Sequence, residues 1–238
     1  MHSYVKVYQY ILEKIQNGEF LEGDLIPKEM DLSEQFHVSR PTVRHALNDL
    51  VNEGYLTRVR GRGSFVTKPK VLQEYTKFIE SYNQEMEKKG LSPLTKVLEL
   101  SLIYPSEPIQ CRLSITEEER VVKLRRLRFI KDGGTAKPMI LTTVYFPYSL
   151  VPTALQYDFE QRSFYHVLAE NGIYVNKVRR FLEVRTLCGK TASLFGLPDH
   201  SPCHYISSTG YDSADRPIEY SENFYPADRN QFIVEIIK

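Results

Sequence analysis

The stretch from Pro27 to Val66 constrains the fold more than any other part of this chain. Its apolar residues begin at helical spacing, at Leu32 and Phe36 and then at Val43, Leu47, Leu50 and Val51, as in helices that turn one face inward. Pro27 is expected in the first turn of the first of these helices. Ser39 is expected as the N-cap of the second, with Pro41 in its first turn. After Gly54 the pattern shortens to two runs, Tyr55–Val59 and Ser64–Val66, which read as strands. Gly61 and Gly63 bracket Arg62 at the turn between them, where a positive φ costs glycine little. An amphipathic helix precedes the whole, with Tyr4, Val7, Tyr8, Ile11, Leu12 and Ile15 on one face and Gly18 as its stop.

Charge is distributed to match. Residues 1–36 hold three Lys/Arg and seven Asp/Glu, 3 − 7 = −4, and residues 37–70 hold seven and two, 7 − 2 = +5. A chain with net charge +1 thus gathers its positive charge on one helix and one hairpin, as a surface that meets nucleic-acid phosphates must. Arg40, Thr42 and Arg44 lie in the first turns of that helix, the part a recognition helix presents to base edges in the major groove. Arginine can pair bidentately with guanine O6 and N7, worth about 1–3 kcal/mol of discrimination. The hydroxyls of Ser39 and Thr42 and the free N–H groups of the helix start suit phosphate oxygens. Arg58, Arg60 and Arg62 alternate along the hairpin and are expected on one face.

The remainder is of another kind. The polar segment 67–74 reads as a linker and 75–89 as a helix ending at Gly90. From about residue 95 strands dominate: Val97–Ile103, Val121–Ile130, Met139–Tyr145, Arg179–Thr186, Cys203–Tyr211 and Ile218–Tyr225. Helices are expected at 162–171 and 189–195, and turns at Asp132-Gly133-Gly134 and Ser213-Ala214-Asp215. Strands joined mostly by turns, with few helices, indicate an α+β domain on an antiparallel sheet. The organisation expected is a helical and winged unit over 1–70, a linker over 71–80 and a sheet domain over 81–238.

Several chemistries find no support. Cys111, Cys188 and Cys203 are odd in number and widely spaced, so reduced, buried thiols in the cytoplasm are expected. Charged residues interrupt the N-terminus, and no apolar run is long enough for a membrane span. His200-Ser201-Pro202-Cys203-His204 lacks a second cluster at zinc spacing and reads as a turn into a strand, so no metal is expected. Gly189-Lys190-Thr191 imitates the end of a P-loop, but Val184 stands where its first glycine is required. Glu117-Glu118-Glu119 reads as a solvated helix turn.

With these residues in place, two resemblances are specific. Residues 1–70 resemble the winged helix-turn-helix of GntR-family transcription regulators, through VSRPTVRHALNDLVNEGYLTRVRGRGSFV. The resemblance implies a homodimer that binds a palindromic double-stranded operator. It places Arg40 and Arg44 at bases, Thr42 at a phosphate, and Gly61 in the minor groove between Arg60 and Arg62. Where the family has Ser-Glu-Arg after the proline, this chain has Lys28-Glu29-Met30. Met30 cannot make the family arginine's contact, and Lys28 is placed to reach a phosphate.

Residues from about 80 to 235 resemble the UTRA effector domain of the HutC branch, which is similar in fold to chorismate lyase. The marks are Ser81-Tyr82-Asn83 with Glu85-Met86, LRRLRF, Pro138 through Pro147, Ser163-Phe164-Tyr165 and GYDSADRPIEYSENFYPADRNQF. Regulators nearest in pattern bind phosphorylated hexosamines. The resemblance puts Tyr82, Asn83 and Tyr165 around a phosphate, and Glu219 and Tyr225 at the sugar. A family glutamate that grips the sugar is Thr142 here, so the expectation is a phosphorylated sugar or related anion, without glucosamine being specified.

Residue chemistry agrees with an anion. Arg126 and Arg128, two apart on a strand, project from one face and repel unless an anion or acids lie between them. Ser163, as N-cap of the next helix, adds a hydroxyl for the same anion. The alternative is a salt-bridge ladder with Glu117–Glu119 or Glu183. The resulting expectation is a cytoplasmic DNA-binding repressor, not an enzyme, with no catalytic residue and no cofactor, modulated by a small anionic metabolite. Two other readings stay open at this point: a DNA-binding dimer whose second domain serves only protein contacts, and a chorismate-lyase-like enzyme.

Overall fold

The computed structural model describes residues 3–67, 70–74, 82, 86, 89–132 and 135–233. The chain divides into two compact units, Met1–Val71 and Leu72–Lys238.

The first unit is built on α1 (Ser3–Gln16), α2 (Glu29–Phe36) and α3 (Arg40–Asn52), followed by the antiparallel hairpin of β1 (Leu56–Val59) and β2 (Gly63–Val66). Val7 and Ile11 of α1, Leu32 of α2 and Val43, Ala46, Leu47 and Leu50 of α3 are buried together with Leu56 and Val66 of the hairpin. Each large apolar side chain buried this way contributes about 1.5–3 kcal/mol. Ser39 caps α3 as expected: its hydroxyl accepts from the Thr42 N–H at 3.3 Å, with Pro41 in the first turn. Pro27 stands outside α2 rather than in its first turn. Lys28 is the N-cap, and its N–H donates to the Asp31 carboxylate at 3.3 Å, which starts the helix at Glu29. The turn into α3 is tight because His37 takes a left-handed conformation, φ 52°, and the Val38 N–H returns to Ser33 O.

In the second unit six antiparallel strands form one sheet in the order β4-β5-β6-β9-β8-β7. They are β4 (Ser92–Ile103), β5 (Val121–Asp132), β6 (Thr135–Pro147), β7 (Lys177–Leu187), β8 (Ser201–Tyr211) and β9 (Pro217–Pro226). Two three-stranded meanders join where β6 pairs with β9, from Leu141↔Phe224 to Tyr145↔Tyr220. A separate pair joins β3 (Val71–Glu74) to β10 (Asn230–Ile233). Residues 71–74, expected as linker, are therefore a strand. Of the helix expected at 75–89, only Tyr82 and Met86 are described as helical, and both are buried.

One face of the sheet packs Val122, Leu124, Val144 and Phe146 against Phe164, Val167 and Leu168 of α5 (Phe164–Glu170). The other face is covered at one end by α4 (Glu107–Leu113), through Ile109 and Leu113, and at the other by α6 (Gly189–Leu194) with Phe195. The α4 helix had no counterpart among the expected elements, although Ser106 before Glu107-Pro108 is a start signal. Glu117–Glu119 are exposed in a turn, not a helix: the Glu119 N–H reaches Thr116 O. Cys203 is buried, but Cys111 and Cys188 are exposed, against the expectation of three buried thiols.

Candidate functional site

The first site is a basic surface on the helical unit. Ser39, Arg40 and Arg44 are exposed at the start of α3, and Thr42 is half-buried. The Ser39 and Thr42 hydroxyls share a hydrogen bond at 2.8 Å. Arg44 reaches back to α2, where its Nε and Nη2 donate to the Glu29 carboxylate at 3.2 and 2.9 Å. Arg58 of β1 approaches the same carboxylate at 3.6 Å. Arg44 of α3 and Arg58 of the hairpin therefore meet on one surface, with Glu29 between them. The hydrogen bond from Arg44 holds the Glu29 carboxyl below its ordinary value.

The hairpin tip departs from the expected alternation. β1 ends at Val59 and the Arg62 N–H donates to Val59 O, so Arg60 and Arg62 belong to a turn and strand pleating does not set their direction. Gly61 at φ 76° occupies the third position of that turn, which calls for glycine. Gly63, at φ 120°, lies so near Leu25 that a Cβ would stand 2.7 Å from its Cδ1. Lys28, Arg60, Gly61 and Arg62 are all exposed, and Met30 is 48% exposed on α2.

The second site lies on the α5-facing side of the sheet. Along β5 the side chains on this face run Val122, Leu124, Arg126, Arg128, so an apolar row turns cationic. Arg126 is 3% exposed, and its neighbours in register are Thr142 on β6 and then Asn223 on β9. The Phe159 ring lies 6.0 Å from the Arg126 guanidinium, and the Tyr82 ring 5.0 Å from that of Arg128. Burial, and then the neighbouring charge of Arg128, hold the Arg126 pKa well below the ordinary arginine value. Among the described residues Arg126 Nε and Thr142 Oγ1 are buried without a hydrogen-bond partner, and Arg126 has no ion pair. Glu183 instead pairs with Arg185 at 3.0 Å, so the ladder alternative does not form there.

Tyr165 of α5 ties this cationic pair to a buried acid. Its hydroxyl donates to Glu219 Oε1 at 3.1 Å, and its charge coupling reaches Arg126. Glu219 is 1% exposed. Burial raises its pKa to about 7 against the opposing effects of Tyr165, Arg180 and Ser221. Gly210, opposite Glu219 on β8, makes room for it: a Cβ there would meet Glu219 Oε1 at 2.8 Å.

Of the expected residues, Arg126, Arg128, Thr142, Tyr82, Tyr165 and Glu219 are thus joined by contact, register or field. Ser163 is the N-cap of α5, half-buried, with no capping hydrogen bond from its side chain. Tyr225 is on the same face of β9 but six residues from Glu219, about 20 Å along an extended strand, and packs edge-on against Phe232. Asn83 lies outside the described residues. Sequence reasoning did not find Arg180, Gly210, Ser221 or Asn223. Strand pairing alone brings these to the site.

Comparison with known proteins assigns both halves. Residues 3–66 match the family described as bacterial regulatory proteins, gntR family, and residues 88–231 match the UTRA domain. The chain is 28% identical over 230 residues, 97% of its length and 93% of the relative's, to the HTH-type transcriptional repressor NagR of Bacillus subtilis (strain 168). It is also 28% identical over 230 residues to the mannosyl-D-glycerate transport/metabolism system repressor MngR of Escherichia coli (strain K12), covering 96% and 93%. The crystal structure of PhnF from Mycobacterium smegmatis superposes with a TM-score of 0.82 at 26% identity, over 98% of this chain and all of that one.

Proposed function

From the premise that this chain belongs to the gntR family of bacterial regulatory proteins, in its UTRA-bearing HutC branch, we propose that it is a cytoplasmic repressor released from or held on its operator by a phosphorylated sugar. The matched families and relatives are transcription regulators, not enzymes, which removes the lyase reading. The DNA-reading set is Ser39, Arg40, Thr42 and Arg44 of α3, with Lys28, Arg60, Gly61 and Arg62 beside them. Arg40 and Arg44 meet bases, and the others meet phosphates and the minor groove. The ligand set is Arg126, Arg128, Thr142, Tyr82, Asn83, Ser163 and Tyr165, with Glu219 and Tyr225 toward the sugar.

One observation carries the ligand class. Arg126 is buried beside Arg128, among the described residues no acid pairs with Arg126, and a buried cation is costly unless an anion compensates it. A phosphate monoester supplies that charge and can bond two guanidiniums at once. Thr142, lacking a carboxylate, favours hydroxyl-bearing sugars over amines at its end of the site. A homodimer is supported by β7, a sheet edge carrying exposed Phe181, Leu182 and Val184, the last 77% exposed. Two heads in one dimer suit a palindrome, and effector and operator then weaken or strengthen each other by one common factor.

Thermal melting of the full chain with phosphorylated sugars and their unphosphorylated counterparts tests this reading. At about a hundredfold excess over Kd a ligand adds about 2.7 kcal/mol, roughly 5–10 °C in Tm for a domain of this size. Stabilisation by phosphorylated sugars alone, abolished in the Arg126→Ala/Arg128→Ala double variant, is expected. Equal stabilisation by the unphosphorylated sugars, or an unimpaired double variant, refutes the anion site.

A further inference from the structure

We propose that Glu29 is a positioning residue that sets the base preference of Arg44, by occupying one edge of its guanidinium and turning the other edge outward. This rests on the reading of Arg44 as a base contact. A guanidinium has two edges that can pair bidentately: a side-on edge, Nε with Nη2, and an end-on edge, Nη1 with Nη2. Glu29 takes the side-on edge, with Nε at 3.3 and 3.2 Å from its two oxygens and Nη2 at 2.9 Å from Oε2. That leaves the end-on edge of an exposed side chain for guanine O6 and N7.

The carboxylate is itself fixed. Glu29 is the first residue of α2, where the helix dipole favours a negative charge, and Leu32 anchors that turn in the core. Arg58 of the hairpin comes to 3.6 Å of Glu29 Oε1, and Arg40 adds its field. An exposed ion pair contributes little to stability, so stability does not account for a carboxylate inside a surface that must approach phosphates. Orientation does: without Glu29 the arginine is free to swing to the nearest phosphate, which trades base selection for non-specific attraction. The same carboxylate repels a mismatched backbone, which disfavours non-specific complexes.

The test uses the full chain. A duplex is first enriched from a random DNA pool, and the guanine protected by Arg44 is identified by comparing wild type with Arg44→Ala. Binding is then measured to that duplex, to the same duplex carrying 7-deazaguanine at that position, and to an unrelated duplex. Wild type is expected to lose about tenfold or more on 7-deazaguanine, as removal of the N7 acceptor breaks a bidentate pair. Glu29→Gln is expected to lose most of that sensitivity, to bind the unrelated duplex more tightly, and to keep its melting temperature. Glu29→Asp keeps the charge but not the reach, and is expected to lose the sensitivity as well.

If Glu29→Gln keeps the full 7-deazaguanine penalty and the wild-type ratio of specific to unrelated binding, the proposal falls while Arg44 remains a base contact. If Arg44→Ala itself retains the enriched sequence preference, or if no duplex is enriched, the DNA-reading assignment fails instead.

Discussion

Replacing Glu219 with glutamine should make the protein more stable, and only at neutral and alkaline pH. The carboxyl is buried, and its pKa is raised from 4.5 to about 7, with burial as the largest cause and Tyr165, Arg180 and Ser221 opposing it. A folded-state value above the unfolded one means that the folded chain holds the proton longer. Below about pH 4.5 both states are protonated and the acid costs nothing extra. Between 4.5 and about 7 the unfolded chain ionises while the folded chain resists, so stability falls as pH rises. Above 7 the whole cost is present, about 3 kcal/mol at roughly 1.4 kcal/mol per pH unit. Glutamine cannot ionise and keeps an acceptor for the Tyr165 hydroxyl, which now donates at 3.1 Å. Thermal melts of ligand-free wild type and Glu219→Gln at pH 5 and pH 8 read the difference. The variant's advantage should be small at pH 5 and several degrees larger at pH 8, while all other titrations cancel between the two proteins. An advantage that does not change with pH, or one that shrinks from pH 5 to pH 8, would falsify the assignment of Glu219 as an acid held proton-bearing by burial.

Other perturbations follow from the same contacts. Gly210→Ala forces a Cβ to 2.8 Å of Glu219 Oε1; it should cost about 1–3 kcal/mol in a melt and blunt any sugar-phosphate shift. Leu47→Ala removes a fully buried side chain of α3 and should destabilise the first unit by about 2–5 kcal/mol, visible as loss of DNA binding at temperatures where the sheet's circular dichroism persists. Arg62→Ala should weaken all duplexes alike and reduce the slope of log affinity against log salt by about one, whereas Arg44→Ala should relax base preference for about 1–3 kcal/mol. Indistinguishable salt slopes and base preferences in the two variants would contradict their separate roles.

What could be read from the chain before folding was whatever neighbouring residues encode. The 3.6 period of Val43, Leu47 and Leu50, the Ser39 cap and the glycines of the wing are settled within one or two turns of chain, and they appear as expected. The errors have the same origin in reverse. Sequence alternation runs on through Arg60 and Arg62 because nothing local says where Val59↔Gly63 closes the hairpin. Residues 71–74 look like linker in the sequence because their partner, β10, lies at the other end of the chain.

The proposed ligand site divides along the same line. Parity on β5 puts Arg126 and Arg128 on one face, and parity on β9 puts Glu219, Ser221 and Asn223 on one face, but parity cannot say that the faces are the same. That follows only from the order β5-β6-β9-β8-β7, which sets Arg126 beside Thr142, Thr142 beside Asn223, and Arg180 within reach of Glu219. One long-range feature does leave a local trace. A β5 face that begins Val122, Leu124 has committed itself to the core, and continuing it as Arg126, Arg128 breaks the pattern where burial makes the break expensive. Two charges stand in a row that would otherwise pack as valine and leucine, and they carry that cost. On the proposed reading, the break is the point in the sequence at which ligand binding, rather than folding, sets the residue.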